Sequence, residues 1–289
     1  MSKIFVTGSS GFLGSHLVDY LEEKGNEVVS FDDVAISLSG KKNTFKGNIL
    51  NYNELEKAMK GCDIVFHFAA ISDIQESFDN PQDTLEVNII GTLNILKACI
   101  NNNINKLVFA STIYVYSKYG SIYRISKQAS EKLIEEYSRH NNLNYMILRF
   151  GSLYGTRSNM NNSIYNMIFN AMNYDKISRD GDGNEIREYI HVKDAVQICY
   201  DLIQKKFTSE YYMITGKQSL KIIDTLKIIQ EILQKKINIT FNKNKSHHYE
   251  VTPFSYENQV AKKVTPDSYI DLGQGILEVI HEINSKKNK

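Results

Sequence analysis

Apolar residues in the first half of the chain follow two alternating patterns. Short apolar runs at residues 4–6, 27–31, 63–68, 106–110 and 145–148 predict buried strands. Between them, Leu13, Leu17 and Leu21 recur about one helical turn apart, and helices are predicted over 53–59, 88–100 and 123–140. Buried strands joined by helices of this length predict a parallel sheet covered on both faces, an α/β Rossmann-like doubly wound architecture.

From Tyr154 the pattern loosens. Residues 159–163 are polar and loop-like, 179–184 read as a turn, and 188–192 as a strand, with Asp194 placed to cap the helix that follows. Residues 211–214 predict a last strand of the main sheet, and 220–234 a helix. The expected division is a cofactor domain of residues 1–153 plus about 187–216, with a smaller interleaved C-terminal substrate lobe of about 154–186 plus 217–289. A cleft between them belongs over the carboxyl ends of the strands.

Chemistry first enters at the junction of the first strand and first helix. Gly8, Gly11 and Gly14 stand there at Gly-x-x-Gly-x-x-Gly spacing. Such glycines permit a tight turn, a close backbone approach to phosphate, and close helix–strand packing. The N–H groups at the helix start then face a pyrophosphate. Asp32 closes the second strand eighteen residues beyond Gly14, near the offset for a carboxylate that holds the adenosine ribose diol. A carboxylate there repels the extra phosphate of NADP, so NAD is the expected cofactor. Ala69 and Ala70 follow a strand end, where small side chains let a cofactor lie close. His67, inside the apolar run, is expected to be a hydrogen-bonded core residue.

Composition narrows the function classes. Lys plus Arg number 34 against 33 Asp plus Glu in 289 residues, a net charge of +1, so no overall field recruits nucleic acid or an anionic membrane. Cys62, Cys99 and Cys199 are far apart in apolar runs, which predicts buried thiols and neither disulfide frame nor metal spacing. No apolar run is long enough to span a bilayer and no signal segment precedes the first strand, so a cytoplasmic protein is expected.

Tyr123 and Lys127 lie four apart at the start of the long helix and therefore share a face. The strand before that helix delivers Thr112 at its end. A tyrosine titrates near pH ~10; lowering that by about 3 units takes roughly 4 kcal/mol of preferential phenolate stabilisation. A neighbouring ammonium in a partly desolvated cleft, beside a cationic nicotinamide, is the kind of group that supplies it. The same spacing recurs at Tyr20/Lys24 and Tyr114/Lys118, but neither pair follows a strand-end hydroxyl into a helix.

Taken together, these motifs resemble the extended short-chain dehydrogenase/reductase family, in particular its NAD-dependent nucleotide-sugar epimerases and dehydratases. The resemblance rests on the glycine triplet, on residues 67–70 and 88–96, and on Ser111-Thr112 with Val115-Tyr116. It continues through Tyr123, Ser126-Lys127 and Glu131, then Leu148-Arg149, Tyr154-Gly155 and the run 181–194. It implies Tyr123 as acid/base, Thr112 on the reacting sugar oxygen, and Lys127 also on the nicotinamide ribose. The implied cofactor contacts add Phe12 and Leu13 to the glycines, Asp33 to Asp32, then Asn48 and Ile49, Phe68 with Ala69 and Ala70, and Asn88. The implied substrate contacts are Ser72, Thr112, Ser152, Arg187 on the diphosphate, and His248. No metal is implied. A homodimer through helices 88–100 and 123–140 is.

Several positions depart from the pattern. Only residues 117–122 separate Tyr116 from Tyr123, where relatives carry a longer substrate loop. Arg124 stands for a glycine, Asn48 for an aspartate that meets adenine, and Ser152 for an asparagine. The Asp-Glu pair that dehydratases place after the strand-end threonine is Ile113 and Tyr114 here. The expectation is therefore a nucleotide-sugar 4-epimerase. A 4-keto-sugar reductase, a dehydratase with unusual acid/base groups, and a non-enzymatic dinucleotide sensor are the alternatives.

Overall fold

A computed structural model describes residues 2–117, 119–242 and 262–287. The first half alternates as the apolar runs require. Strands β1 (Lys3–Thr7), β2 (Glu27–Asp32), β3 (Phe45–Lys46), β4 (Ile64–His67), β5 (Lys106–Thr112) and β6 (Asn144–Phe150) are interleaved with helices α1 (Phe12–Glu23), α2 (Tyr52–Ala58), α3 (Ile74–Asp79), α4 (Pro81–Leu85), α5 (Gly91–Asn101) and α6 (Ser121–His140). The second half adds β7 (Ser152–Tyr154), α7 (Ser163–Tyr174), β8 (Lys176–Asp180), β9 (Ile186–His191), α8 (Val192–Ile203), β10 (Glu210–Ile214), β11 (Ser219–Lys221), α9 (Ile222–Leu233), β12 (Asn238–Asn242), β13 (Lys262–Val264) and α10 (Leu272–Lys287).

Eight parallel strands form the main sheet in the order β13-β10-β6-β5-β4-β1-β2-β3. The chain leaves β1 in one direction and returns at β4 on its other side, so the order reverses beside the glycine turn. In doubly wound sheets that reversal opens a crevice at the strand ends. One face of the sheet buries Leu17, Leu21, Val196 and Cys199 of α1 and α8; the other buries Leu55, Ile95, Leu96 and Ile134 of α2, α5 and α6. A third core, around Tyr154, Ile168, Leu226 and Ile276, belongs to α7, α9 and α10.

Two local expectations are corrected. The helix predicted over 88–100 begins as a π-turn, Glu86–Ile90, before α5. Asp194 does not cap α8: β9 ends at His191, whose side chain accepts from Lys193 N, and Asp194 Oδ2 instead accepts from Ile270 N at 3.0 Å. The polar stretch 159–163 is a loop through Asn162, as expected, and Asn162 caps α7 by accepting from Tyr165 N. The lobes also trade strands. β9 lies in a small sheet with β7 and β11, whereas β13 pairs with β10 at the edge of the main sheet.

Candidate active site

The glycine turn is built by exclusion. Gly8 has φ +68°, and a Cβ there would meet Ala69 N at 2.6 Å; a Cβ on Gly14 would meet Gly8 O at 2.0 Å. The first contact presses β1 against the exit of β4, the second presses α1 against the turn. A Cβ on Gly11 would find only Gly8 O, at 3.3 Å, so its open side faces the crevice. Thr7 fastens the two strand ends, its Oγ1 accepting from Phe68 N and Ala69 N at 3.1 and 3.2 Å. His67 is indeed a core residue, hydrogen-bonded to Thr7 Oγ1 and Thr92 Oγ1 and held neutral by burial, its pKa down to about 3.

Above these strand ends lies a cleft of about 860 Å³, within the usual range for a small-molecule site. Its floor is the glycine turn with Phe12 and Leu13; one end carries Asp32, Asp33, Asn48 and Ile49, and the other Ser72, Thr112, Tyr123 and Lys127, with Phe68, Ala69 and Ala70 between. Asp32 is aimed by backbone: Oδ2 accepts from Ser10 N at 2.8 Å and Oδ1 from Val34 N at 3.2 Å. Burial pushes its carboxyl up, those two N–H groups hold it down in part, and Asp33 pushes it up again.

At the opposite end, Tyr123 and Thr112 line the same part of the cleft. Burial pushes the phenol up to about 12, the Thr112 contact working against it. Lys127, 2 % exposed, donates to Ala110 O at 2.8 Å, with Nζ 5.9 Å from the centre of the Tyr123 ring. Burial drives its pKa down to about 7, against the pull of Glu131. Without the cationic nicotinamide that the expectation also included, desolvation of both groups outweighs their proximity, and the phenol lies above its ordinary value.

Three expected contacts lie off the cleft lining. Asn88 stands behind the cleft wall, its amide spent on both backbone groups of Ile71 and on Ser126 Oγ. Ser152 lies between the lining residues Gly151 and Leu153 without lining the cleft itself. Arg187, on β9 and 7 % exposed, donates Nη1 to Ile186 O and is not a lining residue. His248 falls outside the described residues. Asn48 Oδ1, expected to accept from adenine, already accepts from Leu50 N at 2.8 Å.

Conversely, Glu76 and Tyr114 line the reactive end unannounced. Glu76 sits in the first turn of α3, next to Ser77, whose Oγ accepts from Tyr123 N at 3.3 Å. No spacing marks Glu76, and the Tyr114/Lys118 spacing lies outside a predicted helix. The nearest signal was the replacement of the Asp-Glu pair, whose second position is Tyr114. Ile113 is 3 % exposed in a small core with Met213 and does not line the cleft. Among the described residues no group of His, Cys, Asp and Glu could hold a metal ion, and no helix is long and apolar enough to cross a membrane.

Residues 4–214 match the profile of the family described as "NAD dependent epimerase/dehydratase family". The chain is similar to YtcB of Bacillus subtilis, named an uncharacterized UDP-glucose epimerase, at 29 % identity over 83 % of this chain and 85 % of that one. It is also similar to a UDP-N-acetyl-alpha-D-glucosaminuronate decarboxylase of Bacillus cytotoxicus, at 28 % identity over 87 % of each. The UDP-glucose 4-epimerase of Thermotoga maritima, solved with UDP-glucose, superposes with a TM-score of 0.86 over 99 % of both chains at 22 % identity, a likeness of fold.

Proposed function

The chain belongs to the NAD dependent epimerase/dehydratase family, and from that premise we propose that it is an NAD-dependent nucleotide-sugar 4-epimerase of the cytoplasm. One observation carries this: a single cleft holds a dinucleotide-type glycine turn with an aspartate at one end and Thr112, Tyr123 and Lys127 at the other. The glycine cradle fits NAD, because Cβ atoms at Gly8 and Gly14 would fill space that backbone already occupies, and Gly11 leaves its side open. Asp32 would hold the adenosine ribose. NAD, when bound, supplies the hydride acceptor and a cationic ring beside the phenol.

The chain's own residues do the proton work. Tyr123 Oη takes the O4 proton of the sugar as C4 is oxidised, and returns it when the 4-keto sugar is reduced on its other face. Thr112 holds the reacting oxygen, and Lys127 stabilises the phenolate. The pocket beside them is not narrowed by a long 117–122 loop, which leaves a sugar room to turn over. Expected on Tyr123→Phe is a loss of turnover of about a thousandfold or more with NAD still bound; NMR of a nucleotide-sugar panel reads the reaction, and undiminished activity overturns the mechanism.

Glu76 favours a second activity. A carboxylate at the reactive end suits removal of a C5 proton, as in a dehydratase with unusual acid/base groups. The same NMR panel separates the two, since dehydration loses a hydroxyl and epimerisation keeps it. The exposed Phe78, Leu85, Ile90 and Ile125, on α3, α4, the π-turn and α6, support a homodimer through this helical face. Three buried free cysteines suit a reducing compartment.

A further inference from the structure

Helix α6 buries a polar stripe that runs on from the cleft-lining Lys127 to Glu131, which does not line the cleft. Lys127 and Glu131 lie one turn apart on it, 2 % and 3 % exposed. Glu131 Oε1 accepts from Ser111 Oγ at 2.6 Å and from Arg149 Nε at 3.0 Å, and Oε2 accepts from Arg149 Nη2 at 2.7 Å. Arg149, on β6, donates its remaining Nη1 to Tyr116 Oη and packs its guanidinium 4.7 and 4.4 Å from the ring centres of Tyr116 and Tyr211. One cluster therefore ties three pieces of the reactive end. Ser111 precedes Thr112 on β5, Tyr116 ends the turn that carries Tyr114, and Glu131 follows Lys127.

A buried ion pair loses hydration on both sides, and apolar residues of equal volume often serve stability as well or better. Its place beside the catalytic amine offers another reason for it. We propose that the Glu131–Arg149 pair is the positioning device of the reactive end, setting the charge carried by Lys127 and anchoring the strand end that presents Thr112. The proposal rests on Tyr123 and Lys127 being the acid–base pair.

The groups around the Lys127 amine are few. Tyr123 and Glu131 face it from α6, Ala110 O and the Phe109 ring from β5. His67 on β4 feels its charge and is neutral. Arg149 on β6 stands behind Glu131 and saturates its carboxylate; Glu76 of α3 lines the same cleft. Of these, Glu131 is the charge that holds the ammonium against burial. Arg149 in turn pairs with the Glu131 carboxylate through Nε and Nη2, and its opposite charge tempers the pull of that carboxylate on the amine.

The test is the titration of Lys127 in the whole folded protein, by NMR of 13C-labelled lysine side chains, with the resonance assigned by its loss in Lys127→Met. Glu131→Gln alone would strand the guanidinium, so the informative change is Glu131→Gln with Arg149→Met, which removes both charges at similar volume. The Lys127 midpoint should fall by about 1 pH unit, and Glu131→Asp, which keeps the charge, should leave it near its original position. Ser111→Ala, a milder change that keeps the proposal testable should the double variant not fold, strips one donor from the carboxylate and should move the midpoint slightly upward. An unmoved midpoint in the folded double variant, or a downward shift in Ser111→Ala, overturns the proposal. The titration needs no substrate, so it can fail while Tyr123→Phe still abolishes turnover, and hold if the reaction proves to be another.

Discussion

Lys127 is charged at a cost, because the seam between β5 and α6 shields its amine from water and drives its pKa from 10.5 to about 7. Between those values the unfolded chain binds the proton and the folded one does not, so stability rises with pH over that window and is lost as pH falls through it. Below about pH 7 the penalty is on the order of 5 kcal/mol. Lys127→Met should therefore abolish turnover yet make the NAD-free protein more stable at pH 7, raising Tm by about 2–4 °C for each kcal/mol recovered. The gain should shrink when melting is repeated near pH 9.5; a variant less stable than the parent at pH 7 would show that the hydrogen bond to Ala110 O outweighs the desolvation. Thr112, Tyr123 and Lys127 were legible in the chain because their spacing to a strand end and along a helix is itself the signal. Glu76 and Tyr114 were not, since what places them in the cleft is how α3 packs beside α6 and how the turn 113–116 folds back.

At the scale of elements, the β1–α1 turn separates what the fold needs from what a ligand needs. Gly14→Ala drives a Cβ to 2.0 Å from Gly8 O, backbone that cannot yield. It should cost about 3 kcal/mol or more and loosen the whole turn. Gly11 has an extended N-cap conformation, φ −69° and ψ 175°, open to alanine. Gly11→Ala should melt near the parent but bind NAD at least about tenfold more weakly, roughly 1.4 kcal/mol, because its Cβ enters the cleft. Thermal melts without cofactor and NAD titration by calorimetry separate the two; equal losses of stability would refute the distinction. The turn was readable from three glycines and an aspartate. The capping of α8 was not, because Asp194 is an N-cap residue by type and His191 is not; only the end of β9 and the backbone of Ile270, which takes up the Asp194 carboxylate, give the cap to His191.

Taken whole, the molecule is a parallel sheet whose second half leaves and rejoins it, and its exposed helical face is where a second copy would be expected. Phe78 and Ile125 are 67 % and 44 % exposed on neighbouring helices. Replacing both with Asp should leave the melting curve of the single chain unchanged and shift sedimentation at micromolar concentration from dimer to monomer; a parent that sediments only as monomer removes the homodimer. Five strands and the helices α1, α2, α5 and α6 through residue 150, the glycine turn, Asp32 and the Tyr/Lys pair were legible in the sequence alone, because each is a local pattern: burial on both faces, a helical period, a fixed offset; β3, α3 and α4 carry no such pattern and were not. The tertiary structure decided what depends on distant segments meeting. It put Asn88 behind the wall rather than on it, moved β9 out of the main sheet and β13 into it, and surrounded Lys127 with Phe109, Ala110 and Glu131. Spacing along a chain can bring two groups to one face; only packing determines how much water is left around them, and so which charge they carry.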